Sequence, residues 1–336
     1  MTSDGLRYDA GLPSDAKVLV TGGSGFIGTN LVHAYREAGV TVLNADASKP
    51  RNAADADVFR QVDFLDAAAV KSVVDDFQPT HVFHLAARTD LDGVTLSDYA
   101  VNIEGVTNVI EALRGLGPVL NRVVMASSRM VCEIGYQPKS DTDYRPSTPY
   151  GESKVRTEEL TRPVTDLPWL LVRPTSIWGP WFDIPYRDFF LSIAKGRYVH
   201  PRGRRIDKNF GYVGNTIWQL HSLMTADDDA VLGKTFYLAD NPPLEVRDFA
   251  DRISRALSTR KAPNVPLPVL KGLAVAGDTL EKTGRRAPLT SFRLANLLTN
   301  MYYELGPLED VVGPPPIGLD QGVAETVAWL RLQQLV

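Results

Sequence analysis

Short apolar runs alternate with stretches of helical periodicity over the first half of the chain. Lys17 to Thr21, Val40 to Asp46, Val58 to Asp63, His81 to Ala87, Arg122 to Ser127 and Trp169 to Arg173 read as strands. Between them, Thr29 to Gly39, Ala67 to Phe77, Ser97 to Leu116 and the segment opening at Tyr150 space their apolar residues as helices do. Strands separated by helices predict an α/β fold, a doubly wound parallel sheet covered on both faces. In such a sheet, ligands sit beyond the carboxyl ends of the strands. Gly22 to Gly28, Asp46, Asp63, Ala86, Ser127 and Arg173 all fall at those ends.

Beyond Ile177 the alternation loosens. Trp178, Trp181, Phe182, Tyr186, Phe189 and Phe190 crowd around two prolines and the start of a helical stretch. Val246 to Leu257 reads as an amphipathic helix, and Pro263 to Gly284 as a lid or variable cap. Thr290 is placed to cap a helix running to Asn300, and Gly322 to Leu330 closes the chain as a helix.

The first strand runs straight into Thr21-Gly-Gly-Ser-Gly-Phe-Ile-Gly28 and then a helix. Strand, glycine-rich turn and helix are the setting of a dinucleotide fingerprint, and make the sheet Rossmann-type. Gly22, Gly25 and Gly28 permit a tight turn and close approach of a pyrophosphate to the helix N-terminus. Asp46 lies eighteen residues after Gly28, at the end of the second strand. A carboxylate there suits a free ribose 2′-hydroxyl and repels a 2′-phosphate, which favours NAD over NADP, with Lys49 and Arg51 close by.

Tyr150 and Lys154 stand four apart on a helix and so share a face. A free phenol titrates near ~10 and is a poor base at neutrality. A lysine cation held close would pull that value down and let the pair move a proton beside a hydride carrier.

Composition narrows the field. The chain has 336 residues, a net charge of −4 and one cysteine, Cys132, so no intrachain disulfide or thiolate metal cluster forms. The net charge predicts no basic field for nucleic acid and no polybasic membrane patch. The five histidines show no metal-ligand spacing, and no apolar run approaches ~18 residues. Residues 1–15 read as a disordered lead without the apolar core of a signal peptide, which makes a cytoplasmic protein the default.

The segments TGGSGFIG, VDFLD, HLAA, VNIEGVTN, ASSRMVCE, YGESK, RPTSIWGP and GLDQGVAETVAWL follow one another between residue 17 and about 332. In that order the chain resembles the extended short-chain dehydrogenase/reductases, and among them the NAD-dependent epimerase/dehydratase group that acts on nucleotide sugars. The resemblance implies that Gly22, Gly25, Phe26, Ile27 and Gly28 form the pyrophosphate loop. It gives Asp46 the adenosine ribose, Asp63 and Phe64 the adenine, and Leu85, Ala86 and Ala87 the middle of the cofactor. Asn102 would sit beneath the cofactor, Ser127 beside it, and Pro174 and Thr175 near the nicotinamide. Ser128, Tyr150 and Lys154 match the catalytic set, the last two also touching the cofactor. Arg88, Ser128 and Ser176 would face the substrate.

Trp181 or Phe182 could meet a substrate base or ring, or serve as core or lid packing. Arg202, Arg204 and Arg205 could clasp a diphosphate, or form a solvated loop or partner surface. The resemblance further implies a homodimer, built on a four-helix bundle from segments near 97–115 and 150–163. Val101, Val109, Leu113 and Leu160 could supply that packing or could face the sheet.

Departures from the family pattern sharpen the reading. Sugar dehydratases carry an Asp-Glu pair directly after the hydroxyl residue, and here those places hold Arg129 and Met130. Neither exchanges a proton at neutral pH. Reductase-epimerases place a cysteine at the position of Met130, and Ser176 stands where many relatives use asparagine on the phosphate. The chain is therefore expected to have residues 16–176 as mainly an NAD-binding domain and 177–336 as mainly a substrate-binding part, with some segments returning to the sheet. The expected activity is nucleotide-sugar epimerisation through a transient ketone, C4 being the first candidate. Net oxidation or reduction of a nucleotide sugar or hydroxysteroid, or a non-catalytic NAD sensor, are the alternatives.

Overall fold

β1 (Lys17–Thr21) buries Val18, Leu19 and Val20 between parallel neighbours on either side, as a central strand of a covered sheet must. The computed structural model describes residues 6–336 apart from 283, 285, 286 and 288. After β1 come α1 (Phe26–Glu37), β2 (Thr41–Asp46), β3 (Phe59–Gln61), α2 (Ala67–Phe77), β4 (His81–His84) and α3 (Glu104–Arg114). Then follow β5 (Arg122–Ala126), α4 (Pro149–Thr161) and β6 (Trp169–Pro174).

The second half holds β7 (Ser176–Trp178), α5 (Tyr186–Ala194), β8 (His200–Pro201), β9 (Asp207–Lys208), β10 (Phe210–Tyr212) and α6 (Val213–Thr225). It continues through α7 (Asp228–Val231), β11 (Thr235–Leu238), β12 (Leu244–Glu245), α8 (Val246–Ala256) and β13 (Asn264–Val265). The last four helices are α9 (Leu267–Glu281), α10 (Ser291–Leu298), α11 (Gly306–Val312) and α12 (Leu319–Leu332).

Seven strands form one parallel sheet in the order β11-β6-β5-β4-β1-β2-β3. Alternate residues of each strand feed opposite cores. Val18, Val20, Phe83, Val124 and Leu170 face α1, α6, α8 and α12, while Leu19, Val82, Val123 and Leu171 face α2 and α3. The order reverses at β1, between β2 and β4, so a crevice opens at the carboxyl ends beside β1. β11 comes from the second half and completes the sheet beside β6.

Two expectations are corrected, and one open alternative is decided. The helix expected over Ser97 to Leu116 is broken into a 3-10 segment, Leu96–Asn102, and α3. The Asn102 side chain is drawn into bonds with the Arg88 backbone (2.8 and 3.0 Å) and the Ser153 hydroxyl (2.9 Å), and these pin the chain at the break. Within the lead expected to be disordered, Tyr8 is buried against Tyr35 and His221, and His221 bonds the Ala10 carbonyl. Tyr8 fills the gap between α1 and α6, and residues 1–5 lie outside the described residues. Of the apolar residues that could have built a bundle between copies, Val109 and Leu113 are buried against the sheet, with Val101 and Leu160 packed on the same core.

Candidate functional site

The glycine turn is shaped by close backbone approach. Gly22 sits at φ +70, and a Cβ there would lie 2.5 Å from the Ala86 backbone nitrogen. A Cβ on Gly28 would meet the Gly22 carbonyl at 2.2 Å. Leu85 and Ala86 leave the β4 ladder and bond Thr21, through its carbonyl (3.0 Å) and hydroxyl (3.3 Å). The N-cap of α1 is Gly25, which offers no side chain to the first helical N–H groups. A helix end of this kind presents donors and partial positive charge to an anion. Phe26 and Ile27 pack back onto the core. The Asp46 carboxylate accepts from Ser24 N (3.0 Å) and Ser48 N (2.8 Å), at the edge of the same turn. Arg51 is engaged by the Ser24 and Trp181 carbonyls and by Asp183. These residues fit a dinucleotide with its pyrophosphate on α1 and an unphosphorylated ribose at Asp46.

Around this cradle, Asp63 accepts from Leu65 N (3.0 Å), and the buried Phe64 ring packs edge-on against His84. Asn102 joins the loop holding Ala87 and Arg88 to α4. Pro174 ends β6, and the Thr175 hydroxyl is taken up by the Leu238 and Asn209 carbonyls.

α4 begins with Thr148, whose hydroxyl accepts from Gly151 N (3.0 Å), and with Pro149 in the first turn, both favourable at a helix start. Gly151 lets this turn press on the 3-10 turn Arg129–Val131 that follows β5, since a Cβ there would lie 2.3 Å from the Met130 carbonyl. The approach brings the Tyr150 phenol near the Ser128 hydroxyl, which acts on its titration. Ser128 also accepts from Met130 N at 3.1 Å. Tyr99 lies against the other side of Tyr150, ring centroids 5.9 Å apart.

Burial pushes the Tyr150 phenol above its ordinary 10.0, while the Ser128 hydroxyl and the Arg129 guanidinium pull it back. Lys154 is buried, donates to the Ala126 carbonyl at 2.9 Å, and is lowered by burial to about 8, against the pull of Glu158. The cation that acts on the phenol is thus Arg129, which the sequence rules out only as a proton exchanger, while Lys154 is held at the Ala126 carbonyl.

Behind Lys154, one turn along α4, Glu158 is fully buried and accepts five hydrogen bonds. They come from Ser127 (2.6 Å), Tyr144 (2.9 Å), Arg162 (2.8 Å) and twice from Arg173 (2.8 Å each). Burial works against its ionised form, and Arg173, Ser127 and Arg162 hold its pKa below the ordinary value. Ser127 therefore turns its hydroxyl toward this network.

Arg129, which acts on Tyr150, also lines a cavity of about 60 Å³ with Tyr136, Tyr237, Met301 and Tyr303. Lys208 is buried close by, donating to the Asn296 (2.8 Å) and Thr299 (2.9 Å) carbonyls. Burial and then the charge of Arg129 lower its pKa to about 8.

Several expected substrate residues are not brought to this place. Phe182 is buried among Phe26, Phe190 and Trp329, because the aromatic cluster packs as core. Trp181 rests on Trp329, in a loop tied to α1 through Asn30 and the Pro180 carbonyl. Arg202, Arg204 and Arg205 are exposed on the loop after β8, with Arg205 held by Asp207. Arg88 is bound to Asp90 and lies over the Tyr99 ring at 5.1 Å. Ser176 is buried, and its hydroxyl has no partner among the described residues.

Arg129, Lys208 and Glu158 escaped the sequence reading as site residues. Arg129 had a signal, its place directly after Ser128. Glu158 had one too, continuing the four-residue spacing of Tyr150 and Lys154.

The sequence model of the "NAD dependent epimerase/dehydratase family" matches residues 18–195. A 3 beta-hydroxysteroid dehydrogenase/Delta 5→4-isomerase of Mycobacterium tuberculosis is 29% identical, over 75% of this chain and 72% of its own length. An Escherichia coli O157:H7 N-acetyl-alpha-D-glucosaminyl-diphospho-ditrans,octacis-undecaprenol 4-epimerase is 24% identical, over 93% of this chain and 94% of its own. The fold is that of the Thermus thermophilus UDP-glucose 4-epimerase solved with NAD. The TM-score is 0.70 at 23% identity, covering 94% of this chain and 99% of the other. No helix among the described residues is long and apolar enough to cross a membrane.

Proposed function

We propose, given that the chain belongs to the NAD dependent epimerase/dehydratase family, that it is an NAD-dependent nucleotide-sugar epimerase. It oxidises a sugar hydroxyl, at C4 in the simplest case, to a transient ketone and reduces it again from the other face. One observation carries the reading: a single proton relay, Ser128 with Tyr150, beside the cation Arg129, with a second buried cation, Lys208, close to Arg129. Neither cation pairs with a carboxylate among the described residues. A phosphate-bearing substrate would balance them.

Bound NAD would supply the hydride acceptor and donor. Tyr150 takes the hydroxyl proton and later returns it, and Ser128 orients the reacting oxygen. Lys154, one turn along α4, offers its ammonium to the cofactor ribose. Arg129 favours the phenolate by its charge. With Arg129 and Met130 after Ser128, no carboxyl pair is there to eliminate water. Asp46, with Arg51 tied up elsewhere, favours NAD.

The relative named as a 3 beta-hydroxysteroid dehydrogenase supports a second reading, net oxidation of a neutral alcohol. One experiment separates the two. The protein is purified without added cofactor and denatured, and released nucleotides are identified by mass spectrometry. It is also incubated with UDP-hexoses and, separately, with a 3β-hydroxysteroid plus NAD. Retained NAD and interconversion of C4 epimers support the epimerase. An empty site, with NADH accumulating on the steroid, overturns it.

A further inference from the structure

The net charge of −4 conceals an uneven distribution. Residues 195–206 hold five lysines and arginines and no carboxylate, and among the described residues of 258–300 there are five against two. The fold joins these stretches. β8 pairs with β13 in parallel, and Arg202 N donates to the Val265 carbonyl at 2.9 Å, two residues before α9 begins. Val199, Val265, Leu270, Ala274, Leu294 and Leu298 share one small core beneath them.

α9 uses only Leu270, Ala274 and Gly277 to reach that core. Beside this buried edge, Val269, Leu273 and Ala276 follow at spacings of four and three and form one row along the helix. Val269 is 51% exposed, Leu273 54%, and Phe292 at the start of α10 66%. Apolar side chains this open, bordered by cations and with few acids, match an interface with an anionic lipid surface. Apolar groups enter the acyl boundary while lysines and arginines meet headgroup phosphates.

We propose that α9, α10 and the loop 202–205 form a docking surface for an anionic lipid bilayer. The surface lies beside the substrate cavity, since Lys208, bonded to carbonyls at the end of α10, and Met301, lining the cavity, link the two. The protein would thus bind the bilayer peripherally and hold its site close to it. The net charge of −4, from which no membrane patch was expected, averages this local excess away.

The test is sedimentation of the full-length protein with vesicles rich in phosphatidylglycerol, against vesicles of phosphatidylcholine alone. Binding is expected only with the anionic vesicles and is lost at high salt. Leu273→Asp with Phe292→Asp should weaken it about tenfold or more, with melting temperature and turnover unchanged. Arg202→Gln with Arg204→Gln should weaken it about fivefold per arginine removed. No sedimentation with anionic vesicles, or sedimentation unaffected by the two aspartates, overturns the proposal. So does sedimentation velocity showing a dimer that the aspartates dissociate while vesicles are ignored, which would make a second copy the occupant.

Discussion

Arg129 alters the electrostatics that a tyrosine and a lysine alone imply. The Lys154 ammonium is held at the Ala126 carbonyl, and the Arg129 guanidinium acts on the phenol together with Ser128. Removing that cation leaves burial less opposed, so the phenol pKa rises further. Arg129→Met is therefore expected to move the alkaline rise of the pH–rate profile to higher pH, read from kcat/KM across pH. A profile that stays in place would leave Arg129 outside the proton transfer. Tyr150→Phe should lower turnover about 10²–10⁴-fold with NAD affinity retained in calorimetry. Glu158 is a positioning residue of another kind. Its pKa is held below 4.5, so its contribution to stability is complete above that value and is lost as pH falls through the depressed one. Glu158→Gln leaves the buried Arg173 uncompensated and should cost about 3–5 kcal/mol in urea denaturation at neutral pH. The acid-side loss of stability should also flatten in that variant.

At the scale of elements, the proposed catalytic geometry depends on how closely α4 meets the turn after β5. Gly151→Ala would set a Cβ 2.3 Å from the Met130 carbonyl and push Tyr150 off Ser128. A loss of kcat of about tenfold or more is expected, with helix content unchanged by circular dichroism. Most elements could be read from the sequence because their signals are local. β1, β2, β5 and β6 are runs buried on both faces, and the glycines of the turn sit where backbone meets backbone. The break before α3 could not be read, because its cause is a set of bonds from Asn102 to Arg88 and Ser153, distant in sequence. The place of Phe182 stayed open because a run of aromatics looks the same whether it lines a pocket or fills a core, and the structure buries it in the core. The role of the arginines after β8 stayed open because a charge run carries no direction, and the structure leaves them exposed.

At the scale of the molecule, the faces of α3 and α4 turned from the sheet are polar, with Glu104, Glu111 and Arg114 on one and Glu152, Arg156 and Glu159 on the other. A homodimer through those faces would rest on ion pairs, and sedimentation velocity should show it dissociating as salt is raised. The sheet itself ends on a strand from far along the chain. β11 bonds β6 from Leu171 to Pro174, so a fragment of residues 16–176 would leave that edge bare and is expected to aggregate on expression. For anyone recombining such enzymes, this means that specificity cannot be transplanted by cutting once after β6 and attaching another enzyme's tail. A working chimera has to carry residues 232–240 with the recipient's sheet and take its donor segments from either side. The second half of the chain is woven into the sheet like a darned patch, and on the proposed function new specificities would be reached by changing loops in place.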